Sequence, residues 1–139
     1  MQASTKNFIL YAEDDHDDLD LVQQAFSRYK NIEIVHANNG LEALDFLKSI
    51  EEEEKMPCLI LLDINMPVMD GKQALEKIKG NKRYENVPVI MFTTSSSESD
   101  KNFAMEMGAD FITKPLNYSE VEDLAIEFAS RCNIELIKN

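Results

Sequence analysis

Five short runs of apolar residues divide the chain, and segments with a helical pattern fill the intervals between them. The runs cover residues 8–12, 32–37, 58–64, 87–93 and 111–113. Most of them are continuous rather than alternating, which is typical of strands covered on both faces. The pattern therefore predicts five buried strands.

Between these runs, apolar residues recur every three or four positions, the spacing that places side chains on one face of a helix. Four segments carry such a stripe: Leu19, Val22, Phe26 and Tyr29; Leu41, Leu44 and Leu47; Leu75 and Ile78; and Val121, Leu124, Ala125 and Phe128. Residues 99–107 are compatible with a fifth helix. Alternating strands and helices predict a mostly parallel sheet with helices on both faces, and right-handed crossovers limit the topology to a doubly wound α/β fold.

Residues that favour turns and helix ends lie where this alternation needs them. The Asn-Asn-Gly turn at 38–40 offers asparagines as caps for the second helix. Ser119 and Glu122 have the spacing of a capping box at the start of the last helix, and Gly108 lies where a left-handed helix end would fall. The acidic run at 51–54 is interpreted as a solvated helix end or loop.

Composition narrows the classes of function. The chain has 139 residues, the size of one domain, and 26 acidic against 14 basic residues give a formal net charge of −12. Such a charge repels polyphosphate backbones and anionic membranes, so we expect neither a nucleic-acid binder nor a membrane-surface protein. The N-terminus lacks a signal-peptide pattern, and no apolar run approaches the ~20 residues of a membrane span. We therefore expect a cytoplasmic protein.

The two cysteines, Cys58 and Cys132, do not make a disulfide framework of the kind found in secreted proteins. Both lie in apolar surroundings. We expect them to be reduced core residues.

Polar side chains follow the ends of four predicted strands. Glu13 and Asp14 come after the first strand, Asp63 ends the third, Thr93 ends the fourth and Lys114 follows the fifth. Taken singly, each has an ordinary explanation as a cap, a turn former or a strand residue. Ligands of open parallel sheets bind beyond the carboxyl ends of the strands, so the convergence of all four favours a site there.

The electrostatics of this cluster indicate a cation. Carboxylates ~5 Å apart repel by about 3 kcal/mol per pair at an effective dielectric of ~20, so Glu13, Asp14 and Asp63 need a balancing charge. Only oxygen donors are offered, which favours a hard ion, and Mg²⁺ suits a site with few carboxylates. His16 and His36 are too isolated along the chain to suggest zinc.

With these residues the chain resembles the receiver domain of response regulators in two-component signalling. The matching segments are ILYAEDD at 9–15, LLDINMP at 61–67, MDG at 69–71, PVIMFT at 88–93 and GADFITKP at 108–115. The resemblance implies a flavodoxin-like (βα)5 fold with strand order 2-1-3-4-5. It covers residues 6–131, so we expect one receiver domain over 1–139, with a C-terminal tail at 132–139 and no output domain.

The resemblance also implies a role for each acidic position. Asp63 would be the phosphoacceptor and would form an acyl phosphate. Asp14 would bind Mg²⁺ directly and Glu13 through water, with Asp63 and the backbone carbonyl of Asn65 completing the metal site; Mn²⁺ would substitute. Asp15 is a third carboxylate and a candidate helix cap.

Other residues would respond to the phosphoryl group. Thr93 would hydrogen-bond it, Lys114 would contact one of its oxygens, and the peptide bond from Lys114 to Pro115 would be cis. Phe111 would be the aromatic switch that moves inward with Thr93, by packing alone because it lacks a hydroxyl. Asn65, Thr94 and Ser95 would line the approach of water to the acyl phosphate.

By the same resemblance the chain would be a signalling receiver and not an enzyme. The reactions that it catalyses would be its own phosphorylation and dephosphorylation. Its donor would be a sensor histidine kinase or a histidine phosphotransfer protein, and its output would be contact with a downstream protein. The face of the fourth helix, fifth strand and fifth helix is expected to make that contact or a homodimer, with tail residues Ile134, Leu136 and Ile137 adding a strand or apolar seam. The stretches at 50–57 and 80–87 resemble single-domain receivers partnered with bacterial phytochromes.

Three alternatives stay open at this point. A metal-dependent phosphatase with an aspartyl-phosphate intermediate would usually carry a second Asp at the position of Asn65. A flavodoxin-like cofactor binder would need a hydroxyl- and glycine-rich loop where the acidic residues 13–15 stand. A degenerate receiver would signal without phosphate, which Asp63, Thr93 and Lys114 together disfavour.

Overall fold

Five strands and five α-helices alternate along the chain, as the hydrophobic pattern predicts. The computed structural model describes residues 6–115 and 117–139. The elements are β1 (Asn7–Ala12), α1 (His16–Ser27), β2 (Ile32–Ala37), α2 (Gly40–Ser49), β3 (Leu59–Leu62), α3 (Gly71–Lys79), a short 3₁₀ turn (Lys82–Tyr84), β4 (Val89–Thr93), α4 (Glu98–Glu106), β5 (Asp110–Thr113) and α5 (Tyr118–Arg131).

The strands form one parallel sheet in the order β2-β1-β3-β4-β5, which confirms the predicted topology. The chain reverses its direction of winding after β2, so β1 and β3 are neighbours and Ala12 pairs with Leu62. Their carboxyl ends therefore lie side by side at the switch point, where open α/β sheets bind ligands.

The sheet separates two hydrophobic cores, which explains the continuous apolar strands. On one face, Leu10 and Ala12 of β1 belong to a core that also includes buried residues of α2, α3 and α4. On the other face, Ile9 and Tyr11 pack with buried residues of α1 and α5. Because alternate strand residues point to opposite faces, every position of β1 after Asn7 is buried.

The helix ends follow the predicted chemistry in two cases. Asn39 caps α2 by accepting a hydrogen bond from the Glu42 backbone N–H at 2.9 Å. Gly108, with φ of +80°, follows α4 in the left-handed conformation that favours glycine. Residues 51–54 form the largely exposed turn after α2, as expected.

Two predictions about helices are wrong. Leu41 is 40% exposed. The buried face of α2 consists of Gly40, Ala43, Leu44 and Leu47, and Leu41 lies outside this face. Ser119 does not open a capping box: α5 begins earlier, and Asn117 caps it by accepting from the Glu120 N–H at 3.1 Å. The Ser119 hydroxyl donates to Asn117 instead.

The two cysteines are joined in a disulfide, so the expectation of reduced thiols is wrong. Cys58 immediately precedes β3 and Cys132 follows the last turn of α5, with the Cα atoms 4.8 Å apart. The surroundings are apolar as expected, since both residues pack against the core that α1 and α5 share. What the sequence pattern misses is that elements 74 residues apart meet on one face of the sheet.

The C-terminal tail also lies elsewhere than predicted. Instead of joining the face of α4, β5 and α5, it forms an antiparallel bridge between Lys138 and Tyr29, in the turn from α1 to β2. The Lys30 N–H donates to the Ile137 carbonyl at 2.9 Å. Asn31 fixes the same segment, since its side chain donates to the Glu135 carbonyl at 2.7 Å and accepts from the Ile137 N–H at 3.0 Å.

Within the described ranges 6–115 and 117–139, no helix is both long enough and apolar enough to cross a membrane.

Candidate functional site

Three carboxylates meet at the carboxyl ends of β1 and β3. Glu13 and Asp14 follow β1, and Asp63 follows β3 directly after the paired residues of the two strands. One carboxylate oxygen from each of the three lies within 4.8 Å of the others. The predicted convergence of these residues is confirmed.

Asp63 is held firmly at this position. Its backbone N–H donates to the Ala12 carbonyl at 3.2 Å, and its Oδ1 accepts from the Ile64 N–H at 2.7 Å. The residue is only 8% exposed. Its second oxygen, Oδ2, faces the Lys114 ammonium. Among the described hydrogen bonds, Oδ2 accepts none from a backbone N–H.

Lys114 connects three acidic side chains from beyond the end of β5. Its ammonium donates to Asp63 Oδ2 and Asp18 Oδ2, both at 2.8 Å, and also to Glu13 Oε1. Burial alone would lower the pKa of Lys114, but the bonds to Asp18, Asp63 and Glu13 outweigh it and raise the pKa. Lys114 is therefore a fixed positive charge beside Asp63.

Glu13 is the most deeply buried of the acids, at 1% exposure. The Tyr11 hydroxyl donates to its Oε1 at 2.7 Å, and the Asp15 N–H donates to its Oε2 at 3.2 Å. Burial, assisted by the charge of Asp63, raises the pKa of Glu13 to about 7 against the opposing bonds from Lys114 and Tyr11. Burial of a negative charge on Glu13 is thus unfavourable.

Two of these contacts involve residues that the sequence analysis missed. Tyr11 is a hydroxyl-bearing residue inside an apolar strand, two positions before Glu13 and so on the same side of β1. Asp18 lies on the first turn of α1, where Asp15 caps the helix as expected by accepting from the N–H groups of Asp17 and Asp18. A residue one helical turn after a strand reaches the same edge of the sheet as the residues directly after it, and no local pattern marks this.

Thr93 and Phe111 stand at the edge formed by β4 and β5. Thr93 is fully buried, its carbonyl accepts from the Lys114 N–H at 2.7 Å, and its hydroxyl accepts from the Ser95 N–H at 3.3 Å. Phe111 pairs with Met91 and is half-buried against the core on its side. The Ser95 hydroxyl donates to Asp100 at 2.6 Å, which ties the loop after β4 to α4.

The peptide bond between Lys114 and Pro115 is trans, so the expectation of a cis bond is wrong. The trans backbone already directs the Lys114 ammonium to Asp63, so the contact does not depend on a cis bond.

The expected isolation of the histidines does not hold in space, because the ring centroids of His16 and His36 are 6.3 Å apart. His36 donates from Nε2 to the Glu13 carbonyl at 2.6 Å. Among the described residues, neither histidine belongs to the group of acids that could hold a metal ion.

The donor set fits a hard divalent cation. Glu13, Asp14 and Asp63 offer carboxylate oxygens alone, and Asp14 is exposed to solvent, so an ion bound here would keep water ligands. Asn65 lies two residues after Asp63 and is exposed. Its carbonyl as a metal ligand stays a prediction.

Comparison with known proteins identifies several that are similar to this chain. The response regulator Rcp1 of Synechocystis is 33% identical over 124 residues, which are 86% of this chain and 84% of Rcp1. The crystal structure of the phosphorylated cyanobacterial phytochrome response regulator RcpA superposes with a TM-score of 0.82 at 30% identity, covering 94% of this chain and 98% of RcpA. The Mn²⁺-bound form of Rcp1 gives a TM-score of 0.79 at 32% identity, covering 94% and 99%.

The sequence profile of the response regulator receiver domain matches residues 9–125, most of the chain. The fold and the strand order match that family as well. The chain belongs to the response regulator receiver domain family of two-component signalling.

Proposed function

We propose that this receiver domain stores its signal as an acyl phosphate on Asp63. The observation that carries the proposal is the environment of the Asp63 carboxylate. Oδ1 is occupied by a backbone N–H, while Oδ2 faces the Lys114 ammonium at 2.8 Å beside two further acids. A carboxylate oriented in this way is a nucleophile with a fixed positive charge next to the position of an incoming phosphoryl group.

In the proposed step, an Asp63 oxygen attacks the phosphorus of a phosphohistidine in a histidine kinase or phosphotransfer protein. The new O–P bond forms as the P–N bond breaks, and the electron pair of that bond returns to the imidazole nitrogen. Lys114 stabilises charge on a phosphoryl oxygen, which is the main contribution a protein makes to phosphoryl transfer. The reaction is reversible because its product, the acyl phosphate, is a high-energy mixed anhydride.

We propose Mg²⁺ as the ion of this site, with Mn²⁺ as a substitute. Asp14 and Asp63 would bind it directly, Glu13 would act through water, and the Asn65 carbonyl would complete the set. When bound, the ion neutralises charge on the phosphoryl oxygens. The acidic group described above supports the proposal, as does the Mn²⁺-bound form of the similar protein Rcp1.

The response to phosphorylation is proposed to run through Thr93 and Phe111. The Thr93 hydroxyl would leave the Ser95 N–H for the phosphoryl group, and Phe111, now half-buried, would move further inward. The face of α4, β5 and α5 would then bind a downstream protein or a second copy. We further propose that the whole chain acts as one receiver unit, without turnover of external substrates, in the cytoplasm where its phosphodonors act. Because that compartment keeps thiols reduced, the bond between Cys58 and Cys132 would form there only under oxidising conditions.

The test is phosphorylation by acetyl phosphate in the presence of Mg²⁺, followed by intact-mass analysis. Wild type should gain one phosphoryl group, and Asp63→Asn should gain none. Asp20→Asn is the matched control, because it removes one negative charge at an exposed position of α1. A phosphoryl adduct that persists in Asp63→Asn contradicts the assignment, and sustained release of phosphate from a phosphoester would support a phosphatase instead.

A further inference from the structure

Asp18 is the third acidic partner of Lys114, and it stands apart from the metal-binding group. Its Oδ2 accepts from the Lys114 ammonium at 2.8 Å across 96 residues of sequence. Among the described residues, the acids that could share an ion with Asp63 are Glu13 and Asp14, and Asp18 is not one of them. Asp18 therefore contacts the lysine of the site but does not belong to the group that would bind an ion.

We propose that Asp18 is a positioning residue, which fixes the direction of the Lys114 ammonium for phosphoryl transfer to Asp63. This inference rests on the proposed function and adds to it a residue outside the motifs by which the chain resembles its family. It is carried by three features: the number of donors on the ammonium, the anchoring of both partners and the difference in exposure among the acids.

An ammonium group has three N–H donors, and the three donors of Lys114 have three carboxylate partners. Two partners, Glu13 and Asp18, keep their places while Asp63 reacts. With two donors held, the third can point only toward Asp63 and so toward a phosphoryl oxygen attached to it. A lysine side chain has a flexible four-carbon stem, and this arrangement removes the freedom that would misdirect its charge.

Both partners are anchored through their backbones. The Lys114 N–H donates to the Thr93 carbonyl at 2.7 Å. The Asp18 N–H donates to the capping side chain of Asp15 at 3.2 Å, and the next residue, Leu19, is buried in the core. The contact between Asp18 and Lys114 thus ties the start of α1 to the end of β5.

The exposures of the acids suggest how the contact survives metal binding. The Asp18 side chain is 31% exposed, whereas that of Glu13 is fully buried. Asp18 lies outside the group that would share an ion, so a bound ion would leave its bond to Lys114 in place.

The test compares Asp18→Asn with Asp17→Asn. Asp17 is the neighbouring exposed acid of the same helical turn, and among the described contacts its side chain does not reach Lys114. Each variant removes one negative charge near the site, which by itself should slightly favour an anionic phosphodonor. We expect the maximal rate of phosphorylation by acetyl phosphate to fall about fivefold or more in Asp18→Asn only. Asp18→Glu, which restores the carboxylate, should recover most of the rate.

The affinity for Mn²⁺, titrated without phosphodonor, separates this role from metal binding. Equal Mn²⁺ affinities in Asp18→Asn and Asp17→Asn, together with the rate difference, support a positioning role. Equal phosphorylation rates in the two variants, a selective loss of Mn²⁺ affinity in Asp18→Asn, or no recovery in Asp18→Glu would each overturn it. Failure of the proposed function itself is distinct, since wild type would then gain no phosphoryl group.

Discussion

Val68 illustrates how a single residue can hold a strained conformation beside the site. It lies in the loop after β3 with φ of +69°, and its side chain is 76% exposed. A left-handed backbone costs an L-residue roughly 1–2 kcal/mol, and a β-branched residue adopts it least readily. Almost no burial offsets that cost here.

We expect Val68→Asn to stabilise the protein, because asparagine tolerates the left-handed region and little apolar contact is lost. The gain should be about 0.5–1 kcal/mol, which corresponds to a rise of a few degrees in Tm. The measurement is thermal unfolding in the presence of a chelator. Val68→Ala, which keeps most of the backbone strain, is the control and should gain less; an unchanged or lower Tm in Val68→Asn would show that the loop is not strained.

Glu13 sets the pH dependence of the metal-free protein. Its pKa is raised from the ordinary 4.5 to about 7 by burial first and by Asp63, against the bonds from Tyr11 and Lys114. The folded state therefore holds this proton more tightly than the unfolded state does. The resulting stability is complete below about pH 4.5 and is lost as the pH rises through 7.

Between pH 8 and pH 5.5, in chelator, wild type should accordingly gain about 1–2 kcal/mol relative to Glu13→Gln, whose amide does not titrate. Denaturant unfolding at the two pH values provides the comparison. The Glu13→Gln variant is the reference, because the two proteins differ only at this position. Parallel stability curves for the two proteins would mean that Glu13 is ionised in both states across this range.

At the residue scale, the sequence predicts the site residues that directly follow strands. It misses Asp18, which lies on the first turn of α1, and Tyr11, which lies two positions before Glu13. Glu13, Asp14 and Asp63 were expected together because strand ends in a parallel sheet share an edge. Asp18 depends on the angle at which α1 leaves that edge, which is a property of packing. Tyr11 follows from the two-residue period of a strand, but its hydroxyl lies inside an apolar run that is otherwise typical of the core.

At the scale of elements, α3 begins against the backbone of the phosphoacceptor. A Cβ added to Gly71 would lie 2.0 Å from the Asp63 carbonyl oxygen, and the Gly71 N–H donates to the Ile64 carbonyl at 2.9 Å. Only a residue without a side chain lets the helix start this close to β3. The position of Asp63 is therefore coupled to the start of α3.

We expect Gly71→Ala to cost about 2–3 kcal/mol, because backbone atoms cannot yield as a side chain would. The displaced Asp63 should also bind Mn²⁺ more weakly. Denaturant unfolding and Mn²⁺ titration measure the two effects. Gly80→Ala is the matched control at the other end of α3, where the nearest atom to the added Cβ lies 3.2 Å away. Similar behaviour of the two variants would contradict the coupling.

Strands and helices were predictable because their burial is nearly complete and leaves a periodic signal. The exposure of Leu41 and the start of α5 were not predictable in this way. A leucine can lie on either side of a helix, and Asn117 is as good a helix cap as Ser119, so the local pattern does not decide between them. Crossover handedness predicted a doubly wound fold, the resemblance implied the strand order, and the structure confirms both.

At the scale of the whole molecule, the disulfide closes a long loop. Cys58 and Cys132 are 74 residues apart, and the segment between them contains α3, α4 and α5 together with the site residues Asp63, Thr93 and Lys114. In the chain-entropy description, such a crosslink stabilises mainly by restricting the unfolded state, typically by 2–4 kcal/mol. No local pattern in the sequence marks this pairing.

Reduction should therefore lower Tm by an amount on the order of 10 °C for a chain of this size. Cys58→Ser should unfold at the temperature of the reduced wild type, and adding reductant to this variant should have no further effect. Thermal scans with and without reductant, with thiol alkylation to count free cysteines, make the comparison. Equal Tm values for oxidised and reduced wild type would show that the bond adds nothing to stability.

The tail ends beside the last turn of α1, where the Asn139 N–H donates to the Arg28 carbonyl at 2.9 Å. That place is at the amino ends of the strands, across the length of the sheet from Asp63. A fluorophore or affinity handle joined after Asn139 would thus emerge away from Asp63, so the proposed phosphorylation of Asp63 should proceed unobstructed. A handle attached without a linker would disturb the contact between the tail and the turn at Tyr29. A few flexible residues placed before the handle would preserve that contact.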